Sequence, residues 1–276
     1  MIPQRNISLL SNRLAAGGDL RVREDVLERD YCLAWFLSAL AESDLRPILA
    51  FKGGTALKRC YFPEYRFSED LDFTLREALP FAEIRARLDQ VYAAVREQSG
   101  ILFAFDRQDA RVRANTHTFY LRYTGPLPGN NDVKVDMTIN EVLFFPLEER
   151  PVLRGYPEFN DVPENRTILA YSLSEIAAEK TVALTDPARN EPRDLYDLWY
   201  LTENDEVQLD RIVPAICRKL AFREKPCQGL QAALEGKEAR LRALWKTRLS
   251  YQMAALPPFE QVFREMRRTF RQAHLP

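Results

Sequence analysis

Two short acidic stretches hold most of the chemistry legible in this chain. Polar and apolar residues alternate in Asp70-Leu71-Asp72-Phe73-Thr74-Leu75, and again in Asp132-Val133-Lys134-Val135-Asp136-Met137-Thr138-Ile139. Side chains of a β-strand turn to opposite faces at each step. The first stretch, read as a strand, therefore puts Asp70, Asp72 and Thr74 opposite Leu71, Phe73 and Leu75. The second separates Asp132, Lys134, Asp136 and Thr138 from Val133, Val135, Met137 and Ile139. If the two strands are neighbours, ~4.8 Å apart, Asp70, Asp72 and Asp136 converge. Like charges that close repel, and they persist only when protonated or metallated. An all-oxygen set of this kind suits Mg2+, or Mn2+ in its place, which takes a few carboxylates together with substrate phosphates.

Upstream, Ile48-Leu49-Ala50-Phe51 reads as a short buried strand, and Lys52-Gly53-Gly54-Thr55 leads from it into a helix. Glycines let the backbone approach a phosphate, and a helix N-terminus presents free N–H groups and a positive dipole. Thr55 can donate its hydroxyl to a phosphate or cap the helix. An isolated Asp-x-Asp strand is most often solvated surface, and an isolated Gly-Gly-Thr turn is commonplace. This one is not a Walker loop, which needs a spaced Gly-Lys-Thr. The ordered series of strand, glycine turn, helix and acidic strand is what points to a phosphate ester bound beside a divalent cation.

A third signal is helical. On a wheel of residues 173–184, Leu173, Ile176, Ala177, Ala183 and Leu184 form one apolar arc, with Lys180 near its centre and Glu179 at its edge. A lysine facing a core is uncommon unless paired or snorkelling, and a flexible ammonium suits a triphosphate. On the next helix Asp194 falls among Leu195, Leu198 and Leu201, with Asp197 at the edge, so either can receive Lys180. A purely structural ion pair accounts for that pattern equally well. Lys134, on the carboxylate face, either contacts phosphate or neutralises Asp70 and Asp136, while Arg111, Arg113 and Arg122 read as surface.

The elements that must position these residues follow from periodicity and punctuation. Residues 24–41 are helix-compatible, with Leu33, Phe36, Leu37 and Leu40 at helical spacing, and Pro47 ends that stretch. Residues 80–98 read as an amphipathic helix. Residues 101–107, 117–124 and 132–140 read as strands, with Gly125, Pro126, Pro128 and Gly129 turning between the last two. Pro146, Pro151, Pro157 and Pro163 punctuate a bridge holding one more short strand near Val152. From Leu173 the pattern is helical, in four or five segments. The fold class is therefore α+β: a mixed sheet in residues 1–165, followed by a mainly helical domain over 166–276.

Bulk properties narrow the classes further. A content of 46% hydrophobic and 29% charged residues supports an ordinary core, and no apolar run approaches the ~18 residues of a membrane span. The N-terminal Met-Ile-Pro-Gln-Arg-Asn lacks a secretory pattern. Cys32, Cys60, Cys217 and Cys227 make no CxxC pair and read as reduced thiols of a cytoplasmic protein. Having only His117 and His274 argues against a His-rich metal site or a Ser-His-Asp triad. Residues 237–276 carry nine Lys or Arg against three Glu, a charge of +6, which leaves −7 on the rest of a chain whose net charge is −1. Such a tail is either a polyanion-binding surface or a solvated helical face.

The sequence resembles the AbiEii/AbiGii-type nucleotidyltransferase toxins, the MenT group among them, of the DNA polymerase beta-like nucleotidyltransferase superfamily. FKGGTALKRCYFPEYRFSEDLDFTL (51–75), KVDMT (134–138), SEIAAEKTVAL (174–184) and RDLYDLW (193–199) carry the resemblance, in order, across roughly residues 35–205. It implies that Gly53, Gly54 and Thr55 bind nucleotide and that Asp70, Asp72 and Asp136 are the catalytic, metal-holding carboxylates. Ser68 fits the family's Ser-x-Asp-x-Asp, and Glu179 and Lys180 fit its Glu-Lys pair near the nucleotide, which counts Lys180 with the catalytic residues, gripping the triphosphate or transferring a proton. Lys134 and Asp197 join the same nucleotide-binding set. The implied activity is transfer of a nucleoside monophosphate from an NTP to an acceptor, the 3′ end of tRNA above all. The protein would then be the toxin of a bacterial toxin–antitoxin system with a cognate antitoxin and no membrane partner. Residues 166–276 would complete the active site and bind the acceptor, and deleting residues 237–276 should abolish transfer to RNA. Other readings are transfer to a protein hydroxyl, a metal-free ribonuclease using Arg268 and His274, and a non-catalytic nucleotide-binding module. Arg111 and His117 repeat the R-x5-H spacing of that ribonuclease pair.

Overall fold

A computed structural model describes residues 1–109 and 115–276; Arg111 and Arg113 lie outside the described residues. The chain forms two compact units. Unit 1 comprises Met1–Glu141, Leu147–Tyr171 and Gln252–Ala254, and unit 2 comprises Val142–Pro146, Ser172–Tyr251 and Ala255–Pro276.

Unit 1 is built on a mixed sheet. Its strands are β1 (Leu49–Lys52), β2 (Leu71–Leu75), β3 (Leu102–Gln108), β4 (Thr116–Thr124), β5 (Asn131–Thr138), β6 (Leu147–Pro151) and β7 (Thr167–Tyr171), in the order β3-β4-β5-β2-β1-β7-β6. Parallel pairing joins β2 to β5 and β1 to β7, and the remaining neighbours are antiparallel. Alternation in β5 is as expected: Val133, Val135 and Met137 are buried between more exposed partners. In β2 the alternation breaks at Thr74, which is buried because its hydroxyl meets the Tyr171 hydroxyl at 2.6 Å. The strand begins at Leu71, so Asp70 lies on its approach.

Helices α1 (Gln4–Ala16), α2 (Glu24–Leu40) and α4 (Phe81–Ser99) complete this unit, with the short α3 (Gly53–Ala56) after β1. In α4, buried Ile84, Leu88, Val91, Tyr92 and Val95 make one helical stripe, and Gly100 at φ 78° ends the helix by donating to the Arg96 carbonyl. Two elements have little sequence signal. α1 buries only Ile7, Leu10 and Ser11, too thin a stripe to read. β7 is followed at once by a helix, so its short apolar run merges with helical periodicity. The strand expected near Val152 ends at Pro151, a residue that an edge strand tolerates.

Unit 2 contains α5 (Leu173–Thr185), α6 (Pro192–Glu203), α7 (Leu209–Phe222), α8 (Leu230–Glu235), α9 (Glu238–Leu249) and α10 (Phe259–Gln272), where four or five segments were expected. Ser172 caps α5 by accepting from the Glu175 amide at 3.3 Å. The Glu175 side chain turns into the core, 2.6 Å from the Lys219 ammonium, both wholly buried. It also accepts from the Phe144 and Phe145 amides at 3.0 and 2.9 Å, fixing the Val142–Pro146 segment. α10 buries Phe259, Val262, Phe263, Met266 and Phe270 along one face. Cys217 and Cys227 are joined in a disulfide, which corrects the expectation of four free thiols; Cys32 and Cys60 are free and buried. No helix of the described residues is long and apolar enough to cross a membrane.

Candidate active site

Register across the sheet of unit 1 creates the site. Thr118 pairs with Asp136, Asp136 with Asp72, and Asp72 with Lys52, so one polar row crosses four strands. Residues paired directly across strands have side chains on the same face. Asp72 and Asp136 are therefore adjacent carboxylates, as the alternation predicts. Thr118 donates to one oxygen of Asp136 at 2.5 Å, and the Lys134 ammonium sits 2.5 Å from the other. Burial disfavours charge on Lys134, but its bond to Asp136 and the fields of Asp136, Asp70 and Asp72 raise its pKa above the ordinary lysine value. One ammonium thus feels all three aspartates. Lys52 donates to Thr138 at 3.2 Å on the same face.

The glycine turn is packed onto this row. Gly53 follows Lys52 directly, has φ 77°, and a methyl placed on it would lie 2.5 Å from Asp72 Oδ2. A side chain there is excluded twice over, by backbone conformation and by the carboxylate. A methyl on Gly54 would lie 2.6 Å from a guanidinium nitrogen of Arg66 and 3.2 Å from Ser68 Oγ. Thr55 donates its hydroxyl to the Asp70 carbonyl at 2.5 Å, tying the turn to the segment that enters β2. Its hydroxyl is committed to backbone, while Gly53, Gly54, Ser68, Asp70 and Asp72 are brought together.

Among the described residues, no three His, Cys, Asp or Glu side chains converge tightly enough as they stand to share a metal ion. The donor chemistry nevertheless fits a hard divalent cation: two carboxylates in register, a third acting on the same ammonium, and a half-exposed Lys134 whose charge stands against Asp136.

Glu179, Lys180, Asp194 and Asp197 lie in unit 2. Lys180 is held by Asp194 at 2.9 Å and Asp197 at 2.7 Å, both carboxylates buried. Burial would raise the Asp194 pKa, but Lys180 and Arg189 hold it below the usual carboxylate range. Glu179 faces Lys219 at 3.6 Å and Arg223 at 3.8 Å. Arg122 pairs with Asp106 at 2.5 Å, in keeping with a surface role. Arg268 pairs with Glu203 at 3.2 Å, and His274 is exposed at φ 49°. His117 stacks on Phe81 with ring centroids 4.9 Å apart, and burial lowers its pKa. Sequence reasoning missed Lys52, Arg66 and Thr118. A polar residue ending the apolar run Leu49–Phe51 was a signal for the first, and strand alternation in 117–124 for the third.

Residues 35–267 match the family described as nucleotidyl transferase AbiEii toxin, type IV TA system. No curated protein matches the chain. Among solved structures it is similar to MenT4, a nucleotidyltransferase toxin of Mycobacterium tuberculosis H37Rv, with TM-score 0.60, 20% identity, and 96% of this chain and 89% of that one covered. That likeness extends the mixed-sheet α+β fold over nearly the whole molecule. The chain belongs to the AbiEii family and is a nucleotidyltransferase, the toxin of a type IV toxin–antitoxin system.

Proposed function

We propose that the protein transfers a nucleoside monophosphate from an NTP to the 3′ end of tRNA, at the acidic row of unit 1, in the cytoplasm. What supports this most is the direct pairing of Asp72 with Asp136 beneath a glycine turn too close to Asp72 to admit a side chain. Asp70, Asp72 and Asp136 would hold Mg2+ or Mn2+, which when bound neutralises charge on the transferred and leaving phosphates. Gly53, Gly54 and Ser68 line the triphosphate, with Lys134 released from Asp136 to meet it. An acceptor hydroxyl attacks the α-phosphorus, the bond to the β-phosphate bridging oxygen breaks, and pyrophosphate leaves. The hydroxyl proton passes to an aspartate oxygen of the acidic face. Lys180 keeps the catalytic role, and Glu179 and Asp197 the nucleotide-binding role, that the resemblance implies; within unit 2, Asp194 and Asp197 fix the ammonium. A cognate antitoxin encoded alongside would counter the toxicity.

The acceptor is tested with α-labelled NTPs and total tRNA, either intact or with its 3′ ribose oxidised by periodate. Label on intact tRNA alone is the expected outcome. Equal labelling of both pools moves the acceptor away from the 3′ end, and label on protein alone favours a protein hydroxyl.

A further inference from the structure

We propose that Cys217 and Cys227 form a thiol–disulfide exchange site whose redox state sets how firmly α5 is held, and with it Glu179 and Lys180. The consequence for transfer rests on the nucleotidyltransferase reading above, in which those two residues serve the nucleotide. Cys217 lies near the end of α7 and Cys227 in the stretch leading to α8, and the bond joins them across ten positions. Both cysteines are half-buried, and their neighbours Arg218, Pro226 and Gln228 are exposed, so the bond sits where a reductant can reach it. Arg218 beside Cys217 and Lys225 two positions before Cys227 are cations, which favour the thiolate that exchange requires.

The loop that this bond closes grips α5 on both sides of Lys180. Arg223 stands 3.8 Å from the Glu179 carboxylate, and the Lys225 ammonium donates at 2.7 Å to Asp186, the residue that ends α5. That hydrogen bond is the main reason the Asp186 carboxyl titrates below its ordinary value. Between Glu179 and Asp186 in the chain lies Lys180, its ammonium held by Asp194 and Asp197. All of these residues belong to unit 2. Opening the disulfide returns conformational freedom to residues 223–227, and the ion pairs they make to α5 weaken. Lys237 still binds the Asp186 carbonyl, so the loosening is graded. Persistent disulfides are rare in a reducing cytoplasm, and exposed ones are the labile, regulatory kind.

A protein dithiol opens the bond in two steps. Its thiolate attacks one sulfur, the S–S bond breaks, and a mixed disulfide forms. Its second thiol then displaces the remaining cysteine, so two electrons and two protons pass to Cys217 and Cys227 and the reductant leaves as a disulfide. Oxidised glutathione reverses the exchange and departs as two thiols.

The full-length protein is poised with dithiothreitol or with oxidised glutathione. Alkylation of the folded protein, read by mass spectrometry, counts the thiols, with buried Cys32 and Cys60 as internal controls. Under dithiothreitol Cys217 and Cys227 should take the label while the controls do not. Amide hydrogen–deuterium exchange at residues 179–186 should then quicken, and the NTP KM should rise about fivefold. Both changes should reverse on reoxidation. The double variant Cys217→Ser, Cys227→Ser should stay at the reduced value. Lys225→Met, which leaves the sulfurs in place, should blunt the response. If the double variant fails to fold, Lys225→Met decides. Amide exchange at 179–186 that ignores the redox state overturns the proposal, as does a bond that yields only on unfolding. An NTP KM within twofold in the two states overturns it equally, provided Lys180→Met abolishes transfer. If Lys180→Met transfers like wild type, the reading of Lys180 is what fails, and amide exchange alone decides the role of the cysteines.

Discussion

Gly53 and Lys58 show how single residues set the limits of unit 1. At Gly53 an added methyl must contend with a left-handed φ and with Asp72 Oδ2 at 2.5 Å. The backbone cost is about 1–2 kcal/mol, but the carboxylate must move as well. Gly53→Ala should therefore lower transfer by about a hundredfold or more, equivalent to about 3 kcal/mol, while urea melts move only by the backbone term. Lys58 is buried and donates to the Pro63 and Tyr65 carbonyls and to the Tyr156 hydroxyl, bracing the segment that leads to Arg66 and Ser68. Burial lowers its pKa from 10.5 to about 8. The folded state thus gives up a proton that the unfolded chain keeps, so between pH 8 and 10.5 the unfolded state binds more protons and stability rises with pH. The stability of wild type relative to Lys58→Met should climb by about 1.4 kcal/mol per pH unit in that window and stay flat below it. A difference that falls with pH would contradict the assignment.

Among the elements, α5 owes its placement in unit 2 to a charge that sequence periodicity could not interpret. Glu175 falls at the third position after its cap, where it reads as capping-box chemistry, yet its carboxylate is wholly buried against Lys219 and two amides. Removing one partner of such a pair costs about 3–5 kcal/mol, so Glu175→Gln should shift urea melts by that order. A shift below about 1 kcal/mol would mean the pair is dispensable. The basic tail also looks different in three dimensions. Arg242 is paired within the tail with Glu238 and Glu260, while Arg267 pairs with Glu235 and Arg268 with Glu203, outside it, which neutralises part of the +6. Exposed Lys246, Arg248, Arg264 and Arg271 are the better candidates for phosphate contacts. Changing these four to Glu should weaken tRNA binding and flatten its salt dependence, whereas Arg267→Ala should change neither much. Deleting residues 237–276 is not a clean test, because it removes Gln252 from unit 1 and the Lys237 ammonium that binds the Asp186 and Arg189 carbonyls.

For the molecule as a whole, legibility followed the range of the interactions. Strand alternation fixed which faces of β2 and β5 carry the aspartates, because that pattern is local. It could not reveal that Thr118, Asp136, Asp72 and Lys52 share one row, which depends on register between strands far apart in sequence. Lys180 was recognisable as an anomaly on its helix, and Asp194 and Asp197 as its candidate partners, since all three lie on adjacent helices. Arg66 was invisible, since it packs against Gly54 and donates to Gln252, 186 positions away. The disulfide between Cys217 and Cys227 was missed because a ten-residue separation without a CxxC motif gives no signal. The account as a whole stands on the acidic row performing metal-dependent nucleotide transfer. The most direct measurement incubates the purified protein with α-labelled NTPs, total tRNA and Mg2+, and counts label incorporated against pyrophosphate released. One pyrophosphate per label is predicted for wild type, with both lost in Asp72→Asn, in Asp136→Asn and on addition of EDTA. Incorporation that survives either substitution, or survives chelation, would contradict it.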